Sequence, residues 1–216
     1  HWLGDQTALE ALIRFSDEEL KHQELFRQIE QMIAAGLPEG YAFVPQPNEV
    51  ASVVLSKSTW AVLGLTCHIE LFTQAHYKQS IEPDEGVSEL FKDVFLFHWR
   101  EESQHAILDE LEWRRENEKL SDEERDRAVD DLIALVVAVD GILQAQSQSD
   151  ANYFCAIAGR PFSTDERDAV EQQLLRAYRW QYILSGVQEP RFSNILGSMV
   201  NAQQADRIGA ALLTLI

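Results

Sequence analysis

A chain of 216 residues with 45% hydrophobic content is long enough to bury one well-formed core. Its 18 Lys and Arg stand against 36 Asp and Glu, and the net charge of −18 repels phosphate backbones and anionic membranes, so neither nucleic acid nor membrane is an expected partner. Cys67 and Cys155 are too few and too far apart for a disulfide framework or a Cys-rich zinc site, which fits a reducing, cytoplasmic setting.

Residues His1 to Asp5 read as a loop, with Gly4 and Asp5 as turn and cap, and no charged leader followed by an apolar core is visible, so no signal peptide is expected. Leu9, Leu12, Ile13, Leu20, Phe26 and Ile29 recur at helical spacing and predict a first helix to about Gly36. Pro38, Gly40, Pro45 and Pro47 break the chain into a connector. A second helix resumes with Val50, Val53, Val54 and Trp60 and carries Cys67, His68, Glu70 and His76. Pro83 to Gly86 form a turn, and a third helix follows from about Ser88 through Trp113.

Ser121 with Glu124 is a capping box that starts a fourth helix, mostly apolar through its middle. Its longest apolar run, Asp131 to Leu143, is interrupted by Asp140 and Gly141 and is shorter than the roughly 20 residues a membrane-spanning helix needs. Ser163 with Glu166 repeats the capping device before a fifth helix ending near Gly186, and Pro190 opens a final helical segment or pair closing on Ala210 to Leu212. No segment reads as a strand. The pattern predicts one all-α domain over residues 1–216, with the chemistry-bearing helices over about 5–118 and additional helices over about 121–216.

One stretch carries a metal-binding pattern. His98, Glu102 and His105 are spaced four and three apart, so on a helix they share one face. Glu101-Glu102-x-x-His105 repeats Glu18-Glu19-x-x-His22, and two such half-sites suggest one dinuclear centre. If the second and third helices pair as an antiparallel hairpin, Gly86 in the turn is the midpoint between Glu70 and Glu102, which places those carboxylates level. Each then lies roughly 24 Å from the turn, where only a metal or a partner justifies burying it. His68 is about 200° around the helix from Glu70 and His76 is partly rotated, so both read as structural or surface groups.

The arrangement resembles the ferritin-like di-iron carboxylate family, in which two bundle helices each give a Glu-x-x-His pair and the other two each give a Glu. The resemblance covers about residues 5–118 and implies a ferritin-like bundle with Glu19, His22, Glu70, Glu102 and His105 as metal ligands. His98 extends the second pair to His-x-x-x-Glu-x-x-His, similar to the extra histidine of the p-aminobenzoate N-oxygenase branch; its other reading is a core histidine bonded to a carbonyl. Phe15 holds the matching position of the first pair, so the centre is expected to be asymmetric. In many family members an acidic residue before each ligand Glu bonds the metal-bound histidine of the facing helix, which implies the pairs Glu101 with His22 and Glu18 with His105. The alternative for both is a surface carboxylate.

The family has one further carboxylate on a helix before the first pair, and its level position falls upstream of His1; a first bundle helix is expected there, with Asp140 as the internal substitute if it is not simply a paired Asp. The resemblance implies two iron ions, with manganese or a mixed pair also compatible with these ligands. It implies O₂ and a small organic substrate as reactants, in an oxidase or oxygenase reaction with N-oxygenation as its sharper form. A pocket walled by Phe15, Leu63, Phe72 and Phe95 is expected; Tyr77, Trp60 and Trp99 read as core. The competing functions are iron handling as a ferroxidase and a metal-free helical binding or scaffold protein. The residues name no electron donor. The last helices are open to two roles, a lid or the face of a homodimer.

Overall fold

In the computed structural model, which describes residues 5–215, helix α1 (Gln6–Ala34) starts where Asp5 accepts a 3.0 Å hydrogen bond from the Ala8 amide. The loop expected over residues 1–4 lies outside the described residues. The Pro-rich connector then leads to α2 (Pro47–Leu55), which opens on proline. Gln146 pins this connector: its amide accepts from Val44 N at 2.9 Å and donates to Ala42 O at 3.1 Å.

The sequence reading joined α2 to the next helix, but the structure breaks the chain at residues 56–58 and begins α3 (Thr59–His76) after Ser58. The cause is tertiary. The Ser58 amide donates to Asp131 Oδ2 at 3.0 Å, an interaction that a continuous helix would forbid. A π turn over Tyr77–Ile81 extends α3, and α4 (Glu89–Asn117) returns after its Ser88 cap. Trp60 against Trp113, Glu70 against Glu102 and Tyr77 against Trp99 pair across the two helices in antiparallel register.

Reciprocal capping boxes at Ser121/Glu124 and Ser163/Glu166 start α5 (Asp122–Ile157) and α6 (Thr164–Arg179). Helix six does not run unbroken to Gly186; it passes through a π turn at Trp180–Leu184 into α7 (Ser185–Gln188). His68 explains the detour. Its Nε2 bonds the Ile183 carbonyl at 2.8 Å, and Gly186 passes so close that a Cβ there would lie 2.5 Å from the same nitrogen. Helix α8 (Pro190–Gly197) and α9 (Ala202–Leu213) complete the all-α bundle, with no strand among the described residues.

The core lies where α3 packs between α4 and α5. Trp60, Trp113, Leu65, Leu71, Val129 and Leu135 form it with Phe192 and Ile195 of α8. Gly64 lets the α3 backbone approach Trp113: a Cβ there would meet Cζ2 at 2.7 Å. Helix α1 lies against α4, and of its 29 residues His22 is the buried one, while Leu9, Leu12, Ile13 and Leu20 face outward. No helix among the described residues is long and apolar enough to cross a membrane.

Candidate metal centre

Helical spacing and the α3–α4 hairpin bring the acidic and imidazole groups together. Helix α1 presents Glu18, Glu19 and His22, α3 presents Glu70, and α4 presents His98, Glu101, Glu102 and His105. Glu19, His22, Glu102 and His105 each offer a ligand atom, all within 4.8 Å of one another, a group of two carboxylates and two imidazoles that could hold a metal ion. Glu70 and His98 join this group through Glu102.

Glu102 is the hub. Its Oε1 lies 2.5 Å from His98 Nε2 and 3.2 Å from His22 Nδ1, and its Oε2 lies 2.7 Å from His105 Nδ1. Glu70 hydrogen-bonds the same carboxylate from α3. Glu19 Oε1 is 3.0 Å from His105 Nδ1. The outer ring nitrogens have their own partners: His22 Nε2 meets Glu101 Oε2 at 2.7 Å, and His105 Nε2 meets Glu18 Oε2 at 2.8 Å. Lys21 also bonds Glu101.

Charge in this pocket follows from burial and partners. Burial raises the cost of ionising Glu102, yet hydrogen bonds from His105, His22 and His98 outweigh it and hold the carboxyl far below the usual range. Burial likewise opposes protonation of His105, but Glu102, Glu19 and Glu18 carry its pKa up to about 11. His22 is raised against its own burial by Glu102 and Glu101. Glu70 is pushed up to about 10, first by burial and then by the Glu102 carboxylate it bonds. Protons therefore occupy positions from which a cation would displace them.

The donor chemistry fits a metal. Glu19 Oε1 and His22 Nδ1 are buried and point into the group, where the polar atoms nearest them are those of its other members, His105 Nδ1 at 3.0 Å and Glu102 Oε1 at 3.2 Å. His22 and His105, whose Nε2 atoms are fixed on Glu101 and Glu18, turn Nδ1 inward, whereas His98 turns its Nε2 to Glu102.

The remaining sequence expectations divide. Asp140 is not at the centre; it forms a two-pronged pair with Arg179 at 2.6 and 2.9 Å and accepts from Gln144. His68 is buried on the Ile183 carbonyl, and half-buried His76 meets the Phe95 ring edge. Phe15 packs 4.3 Å from the His105 ring, and Phe26 bridges His98 at 4.7 Å and Phe95 at 5.3 Å. Phe72 instead packs on His68 and Tyr182, and Leu63 against the main core, so neither completes the expected wall. An apolar groove of about 360 Å³ between α2 and α5 contains none of the clustered residues.

Asp109 escaped the sequence reading. Seven residues after Glu102 and four after His105, it lies on the same α4 face and is buried, with Oδ2 unpartnered among the described residues. Burial pushes its pKa up to about 6. The signal was its helical spacing.

Comparisons with known proteins return no family model, no curated protein and no solved structure that matches this chain.

Proposed function

We propose that this protein is a non-haem di-iron oxidase or oxygenase that uses O₂ to oxidise a small organic molecule, with N-oxygenation of an amine as the sharper form. The observation that carries the reading is the convergence on Glu102: one buried carboxylate met by three histidines and by Glu70, with Glu19 beside His105. Glu19, His22, Glu70, His98, Glu102 and His105 would hold the two ions, a nitrogen and oxygen donor set compatible with iron or manganese. The resemblance to the ferritin-like di-iron carboxylate family favours iron.

A bound pair of iron ions supplies electrons to O₂, and the protein supplies position and exclusion of water. Glu101 and Glu18 accept from the outer nitrogens of His22 and His105 and so fix which nitrogen faces the centre. Phe15 and Phe26 cover His105 and His98 with apolar surface. His98 faces the centre from α4 where α1 has Phe15, so one side is richer in nitrogen; that asymmetry motivates N-oxygenation.

A second reading, iron handling, draws on the rim: the Glu18 and Glu19 side chains are 33% and 36% exposed, which offers Fe(II) an acidic approach. Elemental analysis of protein purified without chelators, followed by O₂ uptake of the Fe(II) form, separates these readings. An oxygenase carries about two irons per chain and consumes extra O₂ when an organic substrate is supplied; a ferroxidase consumes O₂ in proportion to added iron alone. Glu102→Ala and His105→Ala are expected to lose at least one ion with helical circular dichroism unchanged. Full metal content in both variants would sink the assignment.

A further inference from the structure

The acidic residue beyond the motif has no role in the scheme above. Asp109 follows Glu102 and His105 at helical spacing, so all three share one face of α4. It is 6% exposed, its Oδ2 has no hydrogen-bond partner among the described residues, and the charges of His105, Glu19 and Glu102 act on it. Thr66 of α3 hydrogen-bonds its carboxylate. A desolvated carboxylate oxygen beside two other carboxylates is unfavourable unless a cation offsets it.

Two divalent ions carry four positive charges; Glu19, Glu70 and Glu102, once ionised, neutralise three, and neutral imidazoles neutralise none. A fourth coordinating carboxylate brings the set of groups touching the ions to neutrality, with Glu18 and Glu101 outside it on the outer nitrogens of the histidines. We propose that Asp109 is that fourth carboxylate, presenting its free oxygen to the ion on the Glu19 and His105 side. This rests on the dinuclear reading and adds a ligand that the doubled motif does not contain.

The test is a Co(II) titration of the metal-free full chain, followed by calorimetry and by the visible absorption of bound Co(II). Wild type is expected to bind two ions per chain. Asp109→Asn keeps the shape and the Thr66 contact but lacks the charge, and it is expected to bind one ion nearly as wild type does and the other at least tenfold more weakly. Asp109→Leu, apolar and of similar shape, gives the same answer if the Asn variant melts early. Two ions bound with wild-type affinity in both variants overturn the role of Asp109 while sparing the dinuclear centre. A wild-type chain that binds no Co(II) overturns both.

Discussion

Histidine shows most directly how position decides chemistry in this molecule. His68 and His105 are both buried, and burial by itself drives an imidazole toward its neutral form. His105 sits among Glu102, Glu19 and Glu18 and keeps its proton; His68 has the Ile183 carbonyl as its partner, and burial holds its pKa down to about 4. Between that value and the unfolded 6.5, the unfolded chain binds the proton that the folded chain refuses. Stability from His68 is therefore complete above pH 6.5 and lost as pH falls toward 4, roughly 3 kcal/mol in all. Urea melts at pH 7 and 5 should show a steeper acid loss in wild type than in His68→Gln; equal losses would rule this origin out. The sequence placed His68 off the face of Glu70, but its partner is 115 residues away and no local pattern marks it. The clustered histidines were legible because their partners lie on the same helix turn or recur in a second copy of the motif. Asp109 lies on the same face one turn on, outside the doubled pattern that ends at His105, so only its helical spacing marks it.

At the scale of helices, what was legible was local. Capping boxes at Ser121 and Ser163 gave the starts of α5 and α6, since both partners lie within three residues. The break before α3 and the π turn before α7 depend on Asp131 and His68, which contact them only after folding. The apolar spacing of α1 marked a helix but not its buried face, because the face toward α4 is the one bearing His22. The level pairing of Glu70 with Glu102 depends on how closely α3 approaches α4, and Gly64 sets that approach at Trp113. Gly64→Ala should favour the helix by about 1 kcal/mol yet overpack the contact by roughly 1–3 kcal/mol, a net loss of stability. It should also weaken metal binding, since Trp113 is fully buried and forcing the helices apart moves Glu70 from Glu102. Thermal melts and a metal titration on one sample check both; a variant as stable as wild type with unchanged affinity would show that the approach is slack.

The whole molecule is held in two different ways. Helices α3, α4, α5 and α8 share an apolar core, whereas α1 meets α4 through polar groups of the candidate centre, His22 on Glu101 and Glu18 on His105, and through the half-buried rings of Phe15 and Phe26. A helix held by so little apolar burial opens at low free energy, and its amides exchange by local opening rather than by global unfolding. Cations that bind Glu19 and His22 together with Glu102 and His105 join α1 to α4 directly, and ligand at a hundred times its dissociation constant stabilises the joined state by about 2.7 kcal/mol. Hydrogen–deuterium exchange should therefore slow across α1 when metal is added, by about a hundredfold at that loading, while α5 changes little. The effect should weaken as pH falls, because ligation requires imidazoles free of their inward protons and carboxyls that are ionised. Equal exchange in α1 with and without bound metal would mean that α1 is docked by its own packing and that the centre forms on a rigid scaffold.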